Sequence, residues 1–349
     1  MKMGIAGFPG AGKTTIFNAL TGLDAEVGLG SSVSGKPNLG TIKVPDQRVD
    51  RLSDLFSPKK TTYAEISFVD FPDPPGEAGR LDPKVLTQMR EVDALAHVVR
   101  AFADPTQPDA ADPLRDLESF ATELVIADLS IVEKRLERVK KEKGKERERD
   151  LLVKIVAWLE EEKEVRDLEL LPEEETALAG FALLTRKPRL VVVNVSEDEV
   201  ASGVPADILE RTRAAGLDVV LISGKVEMEL AELEAEERRA FEQDLGLEQS
   251  ARDRFIQASY GLLDLMSFLT AGEDEVRAWT IRRGDSALVA AGKIHSDIQR
   301  GFIRAEVMPY EALLELGSEA RCREAGKLRL EGKEYVVGDG DVVHFRFNV

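Results

Sequence analysis

The sequence has very few of the residues that build disulfides, zinc sites or nucleophilic triads. Of 349 residues only Cys322 is a cysteine, and three are histidines. A single cysteine excludes an intrachain disulfide. So few Cys and His residues form neither a zinc-type spacing nor a visible catalytic triad. The function must therefore lie in another kind of site.

Long hydrophobic runs are also missing. No apolar stretch approaches the roughly 18 residues of a membrane-spanning helix, and the start Met1-Lys2-Met3-Gly4 enters an apolar strand rather than a signal-type segment. With the low cysteine content, this pattern predicts a soluble, cytoplasmic protein that has no membrane partner. The length predicts two or three domains, each able to bury its own core.

Positive charge is in deficit. The chain has 47 Lys and Arg residues against 65 Asp and Glu, a formal charge of −18. Wholesale attraction to nucleic acid is therefore disfavoured, and we expect no sequence-specific DNA binding. The acidic residues are clustered, however, as at Glu160–Glu162 and Glu173–Glu175. A local basic surface, and with it an RNA partner, is compatible with this composition.

A glycine-rich motif carries the strongest functional signal. The segment Gly7-Phe8-Pro9-Gly10-Ala11-Gly12-Lys13-Thr14 has the pattern G-x-x-x-x-G-K-T, between an apolar strand and an amphipathic helix. In this context the loop's N–H groups surround phosphate, Lys13 reaches the β/γ-phosphates, and the Thr14 hydroxyl ligates Mg²⁺. The alternative is a glycine-rich turn with a surface lysine. We predict nucleoside triphosphate binding, with phosphate contacts from Gly10, Ala11, Gly12, Lys13, Thr14 and Thr15 and catalytic roles for Lys13 and Thr14.

Polar residues end several strands that are predicted to be buried on both faces. Asp70 closes the run Ile66–Asp70, where a carboxylate would hold Mg²⁺; the alternative is a turn before Phe71-Pro72. Asn194 and Glu197 follow another such run at the carboxyl edge of the sheet, where they would contact the base, unless they only cap a helix. We add Ser223 and Gly224, after a further run, as base-binding candidates.

The alternation of strands and helices predicts an α/β fold with a mostly parallel sheet. Between its halves, apolar residues recur at helical spacing over 114–139 and again from 151, which predicts an antiparallel helical hairpin. Its charged turn, Lys140–Arg147, is either a solvated tip or a partner-binding tip. We predict a nucleotide-binding domain at 1–112 plus 183–275, and the hairpin insertion at 113–182.

The last part of the chain forms a separate pattern. A helix is predicted at about 251–270, followed by the strand Val276–Ile281, a helix near 288–299, and strands at 303–307 and around Val343–Phe347. We therefore expect residues 276–349 to form a small α+β domain.

The order of these features resembles the YchF family of Obg-like ATPases. Further tracts resemble family signatures: Pro45-Asp46-Gln47-Arg48, Arg90-Glu91-Val92-Asp93-Ala94, Val276–Ile281, Ala291–His295, Gly301–Ala305 and Gly338–Val342. The resemblance implies a P-loop, G-domain-like fold with a coiled-coil hairpin and a C-terminal β-grasp (ubiquitin-like, TGS) domain. It also implies ATP in preference to GTP, because N-x-x-E replaces N-K-x-D, and association with the ribosome, a ribosomal subunit or RNA.

The first and second switch segments depart from the family pattern. Alignment puts Ser34 where a threonine normally contacts Mg²⁺, so a hydroxyl survives there. The turn after Asp70 has Asp73 where a glycine usually senses the γ-phosphate, unless Gly76 takes over that role. Pro74 stands where the family replaces a glutamine by a hydrophobic residue.

The loop after Arg100 lacks the histidine that family members have there. We assign His97 to the core as a satisfied histidine, and Gln107 is an alternative for orienting water. The sequence thus predicts a nucleotide-dependent switch that binds ATP and Mg²⁺ and hydrolyses ATP slowly. The alternative is a binding module with little or no hydrolysis. A nucleotide kinase with a lid bearing Arg138, Arg147 and Arg149 is a third option, which the β-grasp tail disfavours.

Overall fold

The computed structural model describes residues 1–25, 36–72, 80–105, 109–234, 237 and 250–348. The chain divides into two compact units, one from Met1–Thr41 and Ser67–Phe255, the other from Ile42–Ile66 and Ile256–Val349. In chain order the strands are β1 (Lys2–Ala6), β2 (Asn38–Lys43), β3 (Lys60–Thr62), β4 (Glu65–Asp70), β5 (Ala94–Arg100), β6 (Arg189–Asn194), β7 (Asp218–Ile222), β8 (Leu265–Thr270), β9 (Glu275–Arg282), β10 (Phe302–Met308), β11 (Arg329–Glu331) and β12 (Val342–Phe347).

The α-helices of the described residues complete the inventory. They are α1 (Lys13–Thr21), α2 (Gln47–Phe56), α3 (Pro83–Met89), α4 (Pro113–Val139), α5 (Glu146–Glu160), α6 (Pro172–Leu178), α7 (Ala206–Ala214), α8 (Gly224–Glu232), α9 (Ala251–Leu262), α10 (Ala287–Ile294), α11 (Ser296–Arg300), α12 (Tyr310–Leu316) and α13 (Glu319–Glu324). None of the helices in these described ranges is long and apolar enough to cross a bilayer.

The first unit is built on a sheet with the strand order β2-β4-β1-β5-β6-β7. Strand β1 pairs in parallel with both β4 and β5, and β5, β6 and β7 continue the parallel arrangement. Every residue of β5 and β6 is buried, which explains why these segments are continuous apolar runs instead of alternating patterns. The predicted α/β fold with a mostly parallel sheet is confirmed.

The helical hairpin is confirmed as well. Helices α4 and α5 pack against each other through a shared apolar core that includes Val132, Leu136, Leu152 and Ile155. Helix α4 begins with Asp112 as N-cap, whose side chain accepts from the Arg115 N–H, and with a proline in its first turn, as helix starts favour. The connecting residues 140–145 are exposed.

A buried ion pair anchors the base of the hairpin. Asp128 on α4 is fully buried, and its Oδ1 lies 2.7 Å from Arg90 Nη1. Its Oδ2 accepts from the Thr185 N–H at 2.8 Å and the Thr185 hydroxyl at 2.7 Å. The carboxylate is thus fully engaged, as a buried charge requires. This contact gives the tract beginning at Arg90 a structural role.

The second unit contains a mixed sheet with the order β11-β10-β12-β8-β9-β3. Strands β10 and β12 are antiparallel, β12 and β8 are parallel, and β8 and β9 are antiparallel. Ala287, Ala290 and Ala291 on α10 share a core with Phe302 and Phe345 of the sheet. A mixed sheet with a helix packed on one face is the β-grasp arrangement that the resemblance implies.

Two features of this unit differ from the sequence analysis. The helix predicted at 251–270 is wrong in its second half, because α9 ends at Leu262 and residues 265–270 form β8. A short apolar run such as Leu265–Thr270 has no periodicity that distinguishes a buried strand from a buried helix. Strand β3 pairs in parallel with β9, so 42–66 belongs to this unit, whereas the predicted nucleotide-binding domain included it. The predicted domain boundaries stay a prediction.

Two of the signature tracts contact each other within the second unit. Arg48 binds Asp46 through two hydrogen bonds, Nε to Oδ1 at 2.9 Å and Nη2 to Oδ2 at 2.8 Å. Its Nη1 lies 3.2 Å from Asp339 Oδ1. A β-carbon at Gly340, where φ is +82°, would lie 2.7 Å from the same guanidinium. The two tracts therefore serve local packing between α2 and the turn before β12.

Candidate nucleotide-binding site

The glycine-rich loop connects β1 to α1 and folds back on itself. Gly10 and Gly12 have left-handed φ angles of +79° and +86°, which side chains rarely tolerate. The Phe8 carbonyl accepts from the Ala11 N–H at 3.3 Å and from Lys13 Nζ at 3.1 Å. Lys13 is buried, so its ammonium group is held within the loop beside the N-terminus of α1, where phosphate binding is favoured.

Two glycines also allow close approaches by other parts of the chain. A β-carbon at Gly7 would lie 2.3 Å from the carbonyl oxygen of Val98 on β5. A β-carbon at Gly12 would lie 2.2 Å from Nδ2 of Asn194. Glycine is therefore required at both positions, because any side chain would push the loop away from β5 or from Asn194.

Two of the three proposed metal ligands, Thr14 and Asp70, lie together at the end of β4. The Thr14 hydroxyl donates to Asp70 Oδ2 at 3.0 Å, and the carboxylate is 2% exposed. Asn38 at the start of β2 also donates to Asp70 Oδ2, at 3.2 Å. Carboxylate and hydroxyl oxygens are ligands that Mg²⁺ prefers. The residues therefore fit a magnesium site, and Asn38 is a neighbour that the sequence analysis missed because an isolated asparagine carries no pattern.

Asn194, at the end of β6, connects two loops. Its Nδ2 donates to the Ala11 carbonyl at 2.9 Å, and its Oδ1 accepts from the Gly224 N–H at 3.0 Å. The side chain is buried, with 4% of the residue exposed. An amide has two donor hydrogens and two acceptor lone pairs, so these contacts leave one of each. Asn194 thus fixes the geometry of the site, and its contact with a base stays a prediction.

A cavity of about 420 Å³ lies beside Asn194. Its lining contains the four predicted base-binding residues and two of the predicted phosphate-binding residues. The lining residues are Gly12, Thr15, Phe102, Ala103, Asn194, Val195, Ser196, Glu197, Asp198, Ser223, Gly224 and Lys225. Glu197 is half-exposed at the cavity, whereas the buried Ser223 caps α8 through its hydroxyl. The structure thus places all four predicted base-binding residues in one cavity with Gly12 and Thr15.

Six lining residues were not among the predicted site residues: Phe102, Ala103, Val195, Ser196, Asp198 and Lys225. Phe102 and Ala103 belong to the loop after β5, and Lys225 follows Gly224 at the start of α8. Their position directly after the ends of parallel strands was the available signal, because ligands of open α/β sheets bind at that edge.

His97 lies in the core, as predicted. It is 1% exposed and stacks on Phe120 with ring centroids 3.8 Å apart. Burial, with additional effects of Arg189 and Lys13, lowers the pKa of His97 well below its usual value. We expected its ring nitrogens to be hydrogen-bonded, but within the described ranges neither of them has a hydrogen-bond partner. The prediction is therefore confirmed for the burial of His97 and wrong for its hydrogen bonds.

Several predicted or alternative positions lie outside the described residues. They are the third metal-ligand candidate Ser34, the switch residues Asp73, Pro74 and Gly76, and Gln107. The roles suggested for them remain predictions.

The phosphate loop, the Thr14–Asp70 pair and the adjoining cavity define a P-loop nucleotide-binding protein with a G-domain-like fold. Sequence profiles agree: residues 2–134 match the family described as "50S ribosome-binding GTPase". Residues 265–348 match the YchF-GTPase C-terminal family, described as "Protein of unknown function (DUF933)".

Full-length relatives identify the family. The chain is 46% identical over 365 residues to a protein of Bacillus subtilis and 40% identical over 360 residues to one of Haemophilus influenzae, covering all of this chain and 100% and 99% of the relatives. Both relatives are named "Ribosome-binding ATPase YchF". The solved Schizosaccharomyces pombe YchF GTPase matches with a TM-score of 0.87 at 31% identity, covering 99% of this chain and 97% of that one. The chain belongs to the YchF family.

Proposed function

We propose that this protein is a cytoplasmic, nucleotide-dependent switch that binds ATP with Mg²⁺, hydrolyses it slowly to ADP and phosphate, and associates with the ribosome. The Thr14 hydroxyl, 3.0 Å from the Asp70 carboxylate beside the phosphate loop, is the observation that carries this proposal. The name shared by the relatives, "Ribosome-binding ATPase YchF", supports it.

The metal would be held by Thr14 and Asp70, with Ser34 as a further candidate ligand. Mg²⁺, when bound, neutralises charge on the phosphates and orients them for transfer. The present hydrogen bond from Thr14 to Asp70 keeps both oxygens close to each other. Asn38 holds the same carboxylate from β2 and is therefore a positioning residue for Asp70.

The loop residues supply the electrostatic part of the mechanism. Gly10, Ala11, Gly12, Lys13, Thr14 and Thr15 would surround the phosphates with N–H groups at the N-terminus of α1. Lys13 would exchange its contact with the Phe8 carbonyl for phosphate oxygens. Lys13 and the loop N–H groups then stabilise the charge of the phosphoryl group in transfer, which needs positioning and electrostatics more than covalent chemistry.

The base would occupy the cavity lined by Asn194, Glu197, Ser223 and Gly224. Asn194 bonds to the Ala11 carbonyl and to the Gly224 N–H. It therefore fixes the position of the phosphate loop relative to the start of α8, which lines the base cavity. One donor hydrogen and one acceptor lone pair of its amide remain for a base. This arrangement supports a nucleotide base in the cavity, and the name of the relatives and the N-x-x-E sequence support a preference for ATP.

Slow turnover follows from the position of the histidines. His97 is buried against Phe120 with a lowered pKa, while His295 and His344 belong to the second unit. His97, the one histidine of the first unit, is therefore stacked in the core and is not placed to act as a general base. The same observation favours the second candidate, a nucleotide-binding module that does little or no hydrolysis.

Ribosome association would use surfaces outside the nucleotide site, such as the tip of the helical hairpin. The exposed tip at 140–145 contains four lysines in a chain of net negative charge, and lysine clusters attract RNA phosphate. We propose that the hairpin and the β-grasp unit contact ribosomal RNA or protein.

Phosphate release measured together with equilibrium nucleotide binding tests the enzymatic part. Wild-type protein with Mg²⁺ is expected to bind ATP in preference to GTP and to release phosphate slowly. Lys13→Ala should lose both activities, and Lys84→Ala, an exposed lysine of α3 in the same unit, is the matched control. ATP that is bound but stays intact for hours would refute hydrolysis and leave the binding module. Co-sedimentation with purified ribosomes, with ATP or ADP present, tests the partner.

A further inference from the structure

The Lys225 side chain forms an ion pair at the edge of the base cavity. Its Nζ lies 3.3 Å from Glu197 Oε2 and 3.9 Å from Glu229 Oε1 one turn along α8. The hydrogen bond to Glu197 is the main cause that raises the pKa of Lys225 above its usual value. Lys225 is therefore an ammonium donor that engages the carboxylate of the N-x-x-E sequence.

Lys225 also decides the charge of the cavity. Among the described lining residues it is the single cation, and Glu197 and Asp198 are the anions. Without Lys225 this end of the cavity would have two carboxylates and no ammonium group. Both carboxylates accept hydrogen bonds only, so such a cavity would favour a base edge that presents donors.

Guanine and adenine differ at this edge. Guanine presents its N1–H and 2-amino group side by side, and a carboxylate with two accessible oxygens can accept from both. Adenine offers an acceptor at N1 beside the 6-amino donor, so two acceptor oxygens would face the N1 lone pair. An ammonium group bonded to one oxygen of the carboxylate competes with a guanine donor for that oxygen and offsets the negative charge, so it weakens the acceptance of hydrogen bonds from guanine.

We propose that Lys225 is a specificity-determining residue, which disfavours guanine by engaging the Glu197 carboxylate that would otherwise accept from both guanine donors. This inference rests on the proposed preference for ATP and adds the residue that produces it. It assigns selectivity to the Lys225–Glu197 pair instead of to Glu197 alone, because a lone glutamate could still accept from guanine.

Calorimetric titration with ADP and GDP tests the inference without interference from hydrolysis. Lys225→Met keeps the length of the side chain and removes its charge, and the exposed position of Lys225 makes the variant compatible with folding. We expect the GDP dissociation constant of Lys225→Met to fall about tenfold, equivalent to one additional hydrogen bond to a charged acceptor, while ADP binding changes less than about twofold.

Two variants complete the experiment. Glu229→Ala removes the other partner of Lys225 without touching the cavity lining and should leave the ADP-to-GDP ratio unchanged. Glu197→Gln, added to Lys225→Met, should abolish the gain in GDP affinity. An unchanged ADP-to-GDP ratio in Lys225→Met would overturn the inference and leave the proposed ATP preference intact. Wild-type protein that binds GDP more tightly than ADP would overturn both.

Discussion

Replacement of Asn194 by alanine tests the connection between the phosphate loop and the start of α8. The substitution removes the bonds to the Ala11 carbonyl, at 2.9 Å, and to the Gly224 N–H, at 3.0 Å. A buried group that loses its partner costs about 1–3 kcal/mol. Because the adjoining cavity admits water to the two orphaned groups, we expect the free energy of unfolding to fall by about 2–4 kcal/mol.

The same substitution should affect nucleotide binding beyond its effect on stability. Without Asn194 the phosphate loop and the start of α8 lose the two hydrogen bonds that join them, so we expect the ADP dissociation constant to rise more than about tenfold. Urea unfolding and calorimetric ADP titration measure the two effects. Ser196→Ala is the control, because Ser196 lies in the same cavity and its hydroxyl donates to the exposed Glu199 among the residues that the structure describes. If the free energy of unfolding of Asn194→Ala lay within about 0.5 kcal/mol of the wild-type value and its ADP affinity were unchanged, the reasoning would be refuted.

Two further substitutions and one pH dependence have defined outcomes. Gly12→Ala places a β-carbon 2.2 Å from Asn194 Nδ2 at a φ of +86°, so ADP titration should show binding reduced more than about tenfold. Asp128→Ala leaves the Arg90 guanidinium, of which only 13% of the side chain is exposed, without its carboxylate, and urea unfolding should show a loss of about 3–5 kcal/mol. His97 has a lowered pKa in the folded state, so the unfolded chain binds the extra proton below about pH 6.5, and stability should fall by up to about 1.4 kcal/mol per pH unit as the pH drops.

The Asp128 and His97 predictions each have a control variant. Glu133→Ala, an exposed acid on α4, should change unfolding by less than about 0.5 kcal/mol and so isolates the effect of Asp128. His97→Phe keeps an aromatic ring against Phe120 and should lose the pH-dependent component between pH 7 and pH 5. An equal pH dependence in both proteins would contradict the assignment, as would ADP binding by Gly12→Ala at wild-type strength.

The sequence predicts those parts of the fold that have a local pattern. The apolar runs of β4, β5, β6 and β7, the helical spacing of α4, and the glycine-rich loop are each visible within a few residues, and the structure confirms them. Strand β8 was predicted as helix because a short buried run has no distinguishing period. Strand β3 escaped because it is three residues long and its partner β9 is more than 200 residues away in the sequence.

In the site, too, residues within a sequence motif were predicted, whereas contacts between residues far apart in the sequence were not. Lys13, Thr14 and Asp70 were identified because strand, loop and helix have fixed positions around a phosphate loop. The contacts of Asn38, and the pair of Lys225 with Glu197, join residues separated by 32 and 28 positions. No period or motif connects such residues, so their contacts become visible only when parallel strands bring their carboxyl ends to one edge.

The properties of the base cavity therefore depend on the residues that contact Asn194 and Glu197, as well as on the N-x-x-E motif itself. Asn194 bonds to two backbone groups and acts first as a connection between loops. Glu197 differs from a free carboxylate because Lys225 engages one of its oxygens. Two proteins with the same N-x-x-E sequence would then differ in base preference if one of them lacked a cation at the start of α8. Specificity in this protein is accordingly a property of the Glu197–Lys225 pair, whereas the phosphate contacts come from the glycine-rich loop, which Asn194 holds in place.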